Sequence, residues 1–204
     1  MVTQRDSSDL VILLHGLAAH RMMMGHLAQS MVGANYRVLN WGYRSITQPI
    51  ETLAKSFAAR LQSLQTSPTR IHIVAHSMGS IIARRALQLQ HGAPLGFGRF
   101  VMLAPPNAGS PVAHRLADKL GWLCPPLREL SDFPESYVNQ LDPSAPVETG
   151  IIAAGLDRVV RLHSTYLSGA KDHIVLPSHH TALLWREDTA DQTLHFLRHG
   201  QFAT

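Results

Sequence analysis

The sequence predicts an α/β domain: a mostly parallel, twisted sheet of about six strands with helices on both faces. Short continuous apolar runs recur along the chain, as strands buried on both faces require. Between them lie segments with an apolar residue every three or four positions, the spacing of amphipathic helices. Strand and helix signals alternate, an order that right-handed crossovers turn into a parallel sheet. Hydrophobic residues make up 45% of the 204 positions and charged residues 16%, the balance of a chain that buries a core rather than one that stays disordered. The length suits one domain over residues 1–204, and neither a repeat nor a linker interrupts it.

The elements follow in order. Residues 10–15 (LVILLH) form the first apolar run and end on Gly16. Residues 22–31 carry apolar side chains on one helical face, and residues 36–41 (YRVLNW) form the second strand. From Ile50 to Leu64, the residues Ile50, Leu53, Phe57, Leu61 and Leu64 make one stripe, and Pro49 opens that helix. Residues 70–76 (RIHIVAH) are the third strand and run almost directly into a helix over 80–89. Residues 100–104 (FVMLA) are the fourth strand, closed by Pro105 and Pro106. Residues 150–154 (GIIAA) and 173–176 (HIVL) are the fifth and sixth. A helix over 188–197 closes the chain, with Gly200 beyond its end. Only the proline-rich stretch 105–149 breaks the rhythm, with short helical patterns near 112–120 and 133–141. A long insertion at the carboxyl ends of parallel strands reads as a lid or a pocket wall.

Composition removes several function classes. One cysteine, Cys124, excludes an internal disulfide framework and a cysteine-based zinc cage. Apolar runs are too short for the roughly 18 residues of a membrane span, so no integral membrane association is expected. The polar start, MVTQRDSSDL, lacks the apolar stretch of a secretory signal, and a cytoplasmic location is the expectation. A net charge of +4 with no basic run beyond two residues gives no nucleic-acid footprint. His72 and His76 are four apart, but on a strand that spacing shares a face without forming a helical metal pair. No metal and no cofactor is expected; for His76, beside Ser77, a packing role is expected, with tuning of the site as the alternative.

The chemistry concentrates after the third strand, at Ala75-His76-Ser77-Met78-Gly79. This is close to G-x-S-x-G, with Ala75 in the first glycine position. A serine between strand and helix sits on a tight turn that requires small neighbours, which Ala75 and Gly79 supply. The following helix points its positive end toward the serine oxygen.

These residues, with His15-Gly16-Leu17 after the first strand, resemble the α/β-hydrolase superfamily, and most nearly the small bacterial lipases and esterases of the compact Bacillus lipase A type. The likeness runs from Leu10 to about Phe202, strongest at 14–17, 73–79 and 157–184 and weak across the insertion. It implies a minimal hydrolase fold and a Ser-His-Asp triad acting through an acyl-enzyme. It assigns Ser77 as nucleophile and the backbone N–H groups of Leu17 and Met78 as oxyanion donors. His15 is expected to hold that turn by hydrogen bonding.

In such folds the acid and the base follow the last two strands. Either His179 or His180 could be the base; the family's H-x-x-L-L pattern is met by His180-Thr181-Ala182-Leu183-Leu184. Asp157 and Asp172 compete for the acid. Asp157 follows the fifth strand at the carboxyl end, where such sites gather, whereas Asp172 precedes the sixth. Asp157 is the assignment. Met22, Met23, Trp41 and Trp122 are expected to line an apolar substrate pocket. The implied activity is hydrolysis of a small-molecule ester or acyl substrate. A thioesterase, lactonase or acyltransferase on the same triad is the alternative, and a non-catalytic binding module is the reading from another class.

Overall fold

The computed structural model describes residues 9–64, 70–90 and 96–204. The opening segment, on which the expectation of no secretory signal rests, lies outside the described residues up to position 8. Strands β1 (Leu10–Leu14), β2 (Arg37–Trp41), β3 (Ile71–His76), β4 (Phe97–Leu103), β5 (Thr149–Ala154) and β6 (Asp172–Leu176) form one sheet in the order β2-β1-β3-β4-β5-β6. Every strand pairing in it is parallel.

The pleat explains the continuous apolar runs. Leu10, Ile12 and Leu14 of β1 enter one core with Ile50, Phe57 and Ile81. Val11 and Leu13, between them, enter a second core with Leu27, Met31 and Phe196. The first core is covered by helices α2 (Ile50–Leu64) and α3 (Met78–Gln88), the second by α1 (Gly25–Gly33) and α7 (Glu187–His199). Truncating a wholly buried side chain such as Phe57 would cost about 3–5 kcal/mol.

Helix α2 has the bounds its stripe predicts. The helix expected over 22–31 is instead a 3-10 turn, Arg21–Met24, followed by α1. His20 accepts the Met22 N–H on its ring and starts that tighter turn. β4 begins earlier than its apolar run, at Phe97, because Gly98 and Arg99 carry no hydrophobic signal. Gly98 is needed there: a Cβ would sit 2.5 Å from the His72 ring.

The insertion contains α4 (Pro111–Leu120), capped by Ser110, then α5 (Pro125–Glu129) and α6 (Tyr137–Gln140). The five-residue α5 is too short to show a period, and its prolines mask it as a loop. Ala113, Ala117, Leu127, Leu130 and Val138 join the core over α2 and α3. The strand order sets the place for chemistry. From β1 the chain moves to β2 on one side and returns to β3 on the other, opening a crevice at the carboxyl ends of β1 and β3.

Candidate active site

β3 ends at His76, and Ser77 stands between it and α3 with φ 52° and ψ −125°. Such a conformation costs a non-glycine residue about 1–3 kcal/mol and persists only where neighbours enforce it. The Ser77 N–H donates to Leu103 O at 2.9 Å. Two residues on, Gly79 lets the start of α3 lie against the end of β1: a Cβ there would meet His15 O at 2.5 Å and Leu14 O at 2.9 Å. The sharp turn therefore rests on the neighbouring strand.

β5 and β6 deliver the other two groups. His180 Nε2 lies 3.0 Å from Ser77 Oγ, and His180 Nδ1 lies 2.7 Å from Asp157 Oδ2. The second Asp157 oxygen accepts the N–H groups of Val159 at 2.7 Å and Val160 at 2.9 Å. Burial pushes the Asp157 carboxyl upward, but the His180 bond and charge and these two N–H bonds outweigh it, leaving it below the ordinary carboxylate range. Asp157 is therefore an anion at neutral pH. Its bond to Nδ1 puts the ring proton there and leaves Nε2 to accept from the serine hydroxyl.

The rival residues point elsewhere. His179 turns outward and bonds Leu156 O through Nδ1 at 3.0 Å, tying its loop to the end of β5. Asp172 lies at the opposite end of the sheet, where it accepts the N–H groups of His173 and Phe202.

The turn after β1 is braced from behind. His15 Nδ1–H donates to Gly16 O at 2.9 Å, its ring stacks on Tyr43 at 4.1 Å, and the Tyr43 hydroxyl donates to His15 O. Burial lowers the His15 pKa, so that ring is neutral near pH 7. Leu17 borders the cleft beside Ser77 and His180. Met78 is the first residue of α3, so its N–H belongs to the helix-end groups that have no intrahelical partner.

Beside Ser77 opens a cleft of about 260 Å³. Leu17, Ala18, Val159 and Val160 line it, together with Pro106, Val112, Ala113, Leu116, Leu127 and Leu130 of the insertion. Ser110 also borders it, but its hydroxyl is engaged with Val159 O and the Ala113 N–H. Apart from Ser77, His180, Ser110 and Thr181, the lining is apolar.

Met22, Met23, Trp41 and Trp122, expected to line an apolar substrate pocket, do not line this cleft. The 3-10 turn leaves Met22 78% exposed and packs Met23 toward α1 and α7. Trp41 packs between Tyr43 and Phe57 with its ring tilted to both, and Trp122 is 75% exposed beyond the end of α4. The lining residues that were missed carried a signal. Val112 and Leu116 are one helical turn apart, and Val159 and Val160 follow Asp157 almost directly.

A larger cavity of about 510 Å³ lies at the amino ends of the strands, beside Arg70, Gly98 and Glu148. Ser77 does not border it, and Arg99 there is paired with Glu148 at 2.9 Å. Among the described residues, no cluster of three or more His, Cys, Asp or Glu side chains could hold a metal ion. No helix among them is long and apolar enough to cross a membrane.

A family model described as "Alpha/beta hydrolase family" matches residues 11–202. No curated protein matches the sequence. Aspergillus fumigatus lipase B superposes with a TM-score of 0.74 at 17% identity, covering 96% of this chain and 54% of that one. The chain thus spans about half the length of that lipase. The mature form of Bacillus licheniformis lipase BlEst2 gives a TM-score of 0.74 at 13% identity, over 94% of this chain and 91% of that one. The type II thioesterase BorB of the borrelidin biosynthetic cluster gives 0.70 at 16% identity, over 94% and 92%. At these identities the likeness is one of fold.

Proposed function

Because the chain belongs to the alpha/beta hydrolase family, we propose that it is a serine hydrolase acting on carboxylic esters, an esterase or lipase working through an acyl-enzyme. One observation carries this reading: the hydrogen-bond relay from Asp157 through His180 to Ser77, with links of 2.7 Å and 3.0 Å.

The chemistry follows from the relay. Ser77 Oγ attacks the ester carbonyl as His180 Nε2 takes its proton. Asp157 holds the ring and stabilises the imidazolium. The carbonyl oxygen becomes an oxyanion facing the N–H groups of Leu17 and Met78, where each donor is worth about 2.7–4 kcal/mol in the transition state. When the tetrahedral centre collapses, the ester C–O bond breaks and His180 passes the proton to the leaving alcohol. Water then attacks the acyl-enzyme with the same histidine as base, and the acid departs. The acyl chain lies in the apolar cleft. The insertion supplies the wall of that acyl site within a single domain.

Ser77→Ala tests the reading. Hydrolysis of a p-nitrophenyl ester is expected to fall by about 10⁴-fold or more. Covalent labelling by a fluorophosphonate is expected to vanish while the melting temperature stays near the parent's. Unchanged ester turnover in that variant would end the proposal.

Thioester hydrolysis is the second reading. It keeps the same relay and is favoured by the length-matched likeness to a protein described as a type II thioesterase. Paired oxygen and thioesters of one acyl group, assayed on one preparation, separate the two.

A further inference from the structure

We propose that His76 is a positioning residue for this relay, holding the backbone of His180 from the end of β3 and so keeping the imidazole between Asp157 and Ser77. The inference rests on the ester-hydrolase reading above and concerns a side chain that the mechanism itself does not use.

His76 is the last residue of β3 and is buried. Its Nε2 lies 3.1 Å from the carbonyl oxygen of His180. A carbonyl only accepts, so Nε2 carries the ring proton and Nδ1 is bare. The bare side faces the first turn: a Cβ on Gly16 would stand 3.1 Å from Nδ1. The His76 and His180 rings are 4.8 Å apart, tilted by 53°. One imidazole thus holds the loop of the base and lies beside the Gly16 turn without a hydrogen bond to it, while its own backbone leads into Ser77.

The contact acts on the atom group that matters. The other backbone anchors of this loop hold the residues on either side, His179 to Leu156, Ser178 to Leu156 and Thr181 to Leu184. The His76 bond grips residue 180 itself. Placement errors near 1 Å in a reacting group can cost about 10²-fold in rate. Burial, then the nearby His180, lower the His76 pKa to about 3, so the ring is neutral at working pH and adds no charge against the imidazolium that forms beside it.

Three substitutions test this with a short-chain p-nitrophenyl ester. His76→Leu removes the donor, His76→Asn keeps polarity but falls short of the carbonyl, and His76→Gln places an N–H near the Nε2 position. His76→Leu and His76→Asn are expected to lose about 10- to 100-fold in kcat with KM within about twofold, and His76→Gln to recover most of the loss. The downfield proton resonance of the His180–Asp157 bond should shift or broaden in His76→Leu and return in His76→Gln. If His76→Leu does not fold, the Asn and Gln pair decides.

Parent-like kcat in a folded Leu or Asn variant would overturn the inference, as would a Gln variant as impaired as the Asn variant. Ser77→Ala on the same ester keeps the two claims apart. Activity lost there but intact in the His76 variants sinks only the positioning role, whereas activity intact in Ser77→Ala sinks the hydrolase reading.

Discussion

His72 and His76 occupy the same face of β3, four residues apart, and both are buried. At the amino end, His72 Nδ1 accepts the Arg99 N–H at 2.9 Å, and its Nε2 lies 3.5 Å from Asp9. That ring joins β3 to the early part of β4, over the glycine that makes room for it. At the carboxyl end, His76 reaches the His180 loop and the Gly16 turn. Burial lowers both pKa values, so neither burial nor protonation state separates them. What separates them is what the fold brings to each end. The amino ends receive returning chain segments, and the carboxyl ends receive the turns that begin at Gly16, Ser77, Gly155 and Pro177. The same residue type on one strand therefore braces the sheet at one end and the proposed relay at the other.

The largest effect that would sharpen this contrast belongs to the carboxyl end. Asp157→Asn removes the charge that fixes the His180 tautomer and is expected to lower kcat by about 10⁴-fold with little change in the urea midpoint. A loss below tenfold, measured with the enzyme saturated, would break the claim that the two ends differ in kind.

The matching change at the amino end is His72→Leu. It strips the Arg99 N–H of its acceptor in a buried place and is expected to cost about 1–3 kcal/mol of stability. Ester turnover at 25 °C should stay within about twofold of the parent. A large loss of kcat in the folded variant would mean that the two ends are coupled after all.

The smallest effect is a pH slope. His72 and His76 have folded pKa values below the unfolded imidazole value of about 6.5. A group depressed in this way contributes its full stability above the unfolded pKa. That contribution is lost as the pH falls toward the folded value, because the unfolded chain takes the proton first. Urea unfolding at pH 7, 6 and 5 should show stability falling with pH, less steeply in His72→Leu. Parallel profiles for parent and variant would show that burial of His72 does not set the slope.

Much of the frame was legible beforehand because its signals are local. All six strands and the stripe of α2 follow from apolar spacing, which a pleat or a helix turns directly into a buried face. Gly79 marks the Ser77 turn because no side chain fits where α3 meets β1. The pocket was less legible. Met22 and Trp122 are apolar and close in sequence to candidate site elements, yet both end exposed. Sequence distance says nothing about which way a 3-10 turn or a loop faces. Val112, Leu116, Val159 and Val160 meet across the cleft only after the insertion folds back over the sheet.

By itself, the sequence determined the layered fold, the family likeness and the positions after strands where reactive groups could stand, since each depends on spacing within a dozen residues. The tertiary structure alone decided which side chains wall the cleft and that His76 reaches across to residue 180. Those outcomes depend on contacts between segments about a hundred residues apart. Their directions are set by packing and by backbone hydrogen bonds that no local pattern encodes.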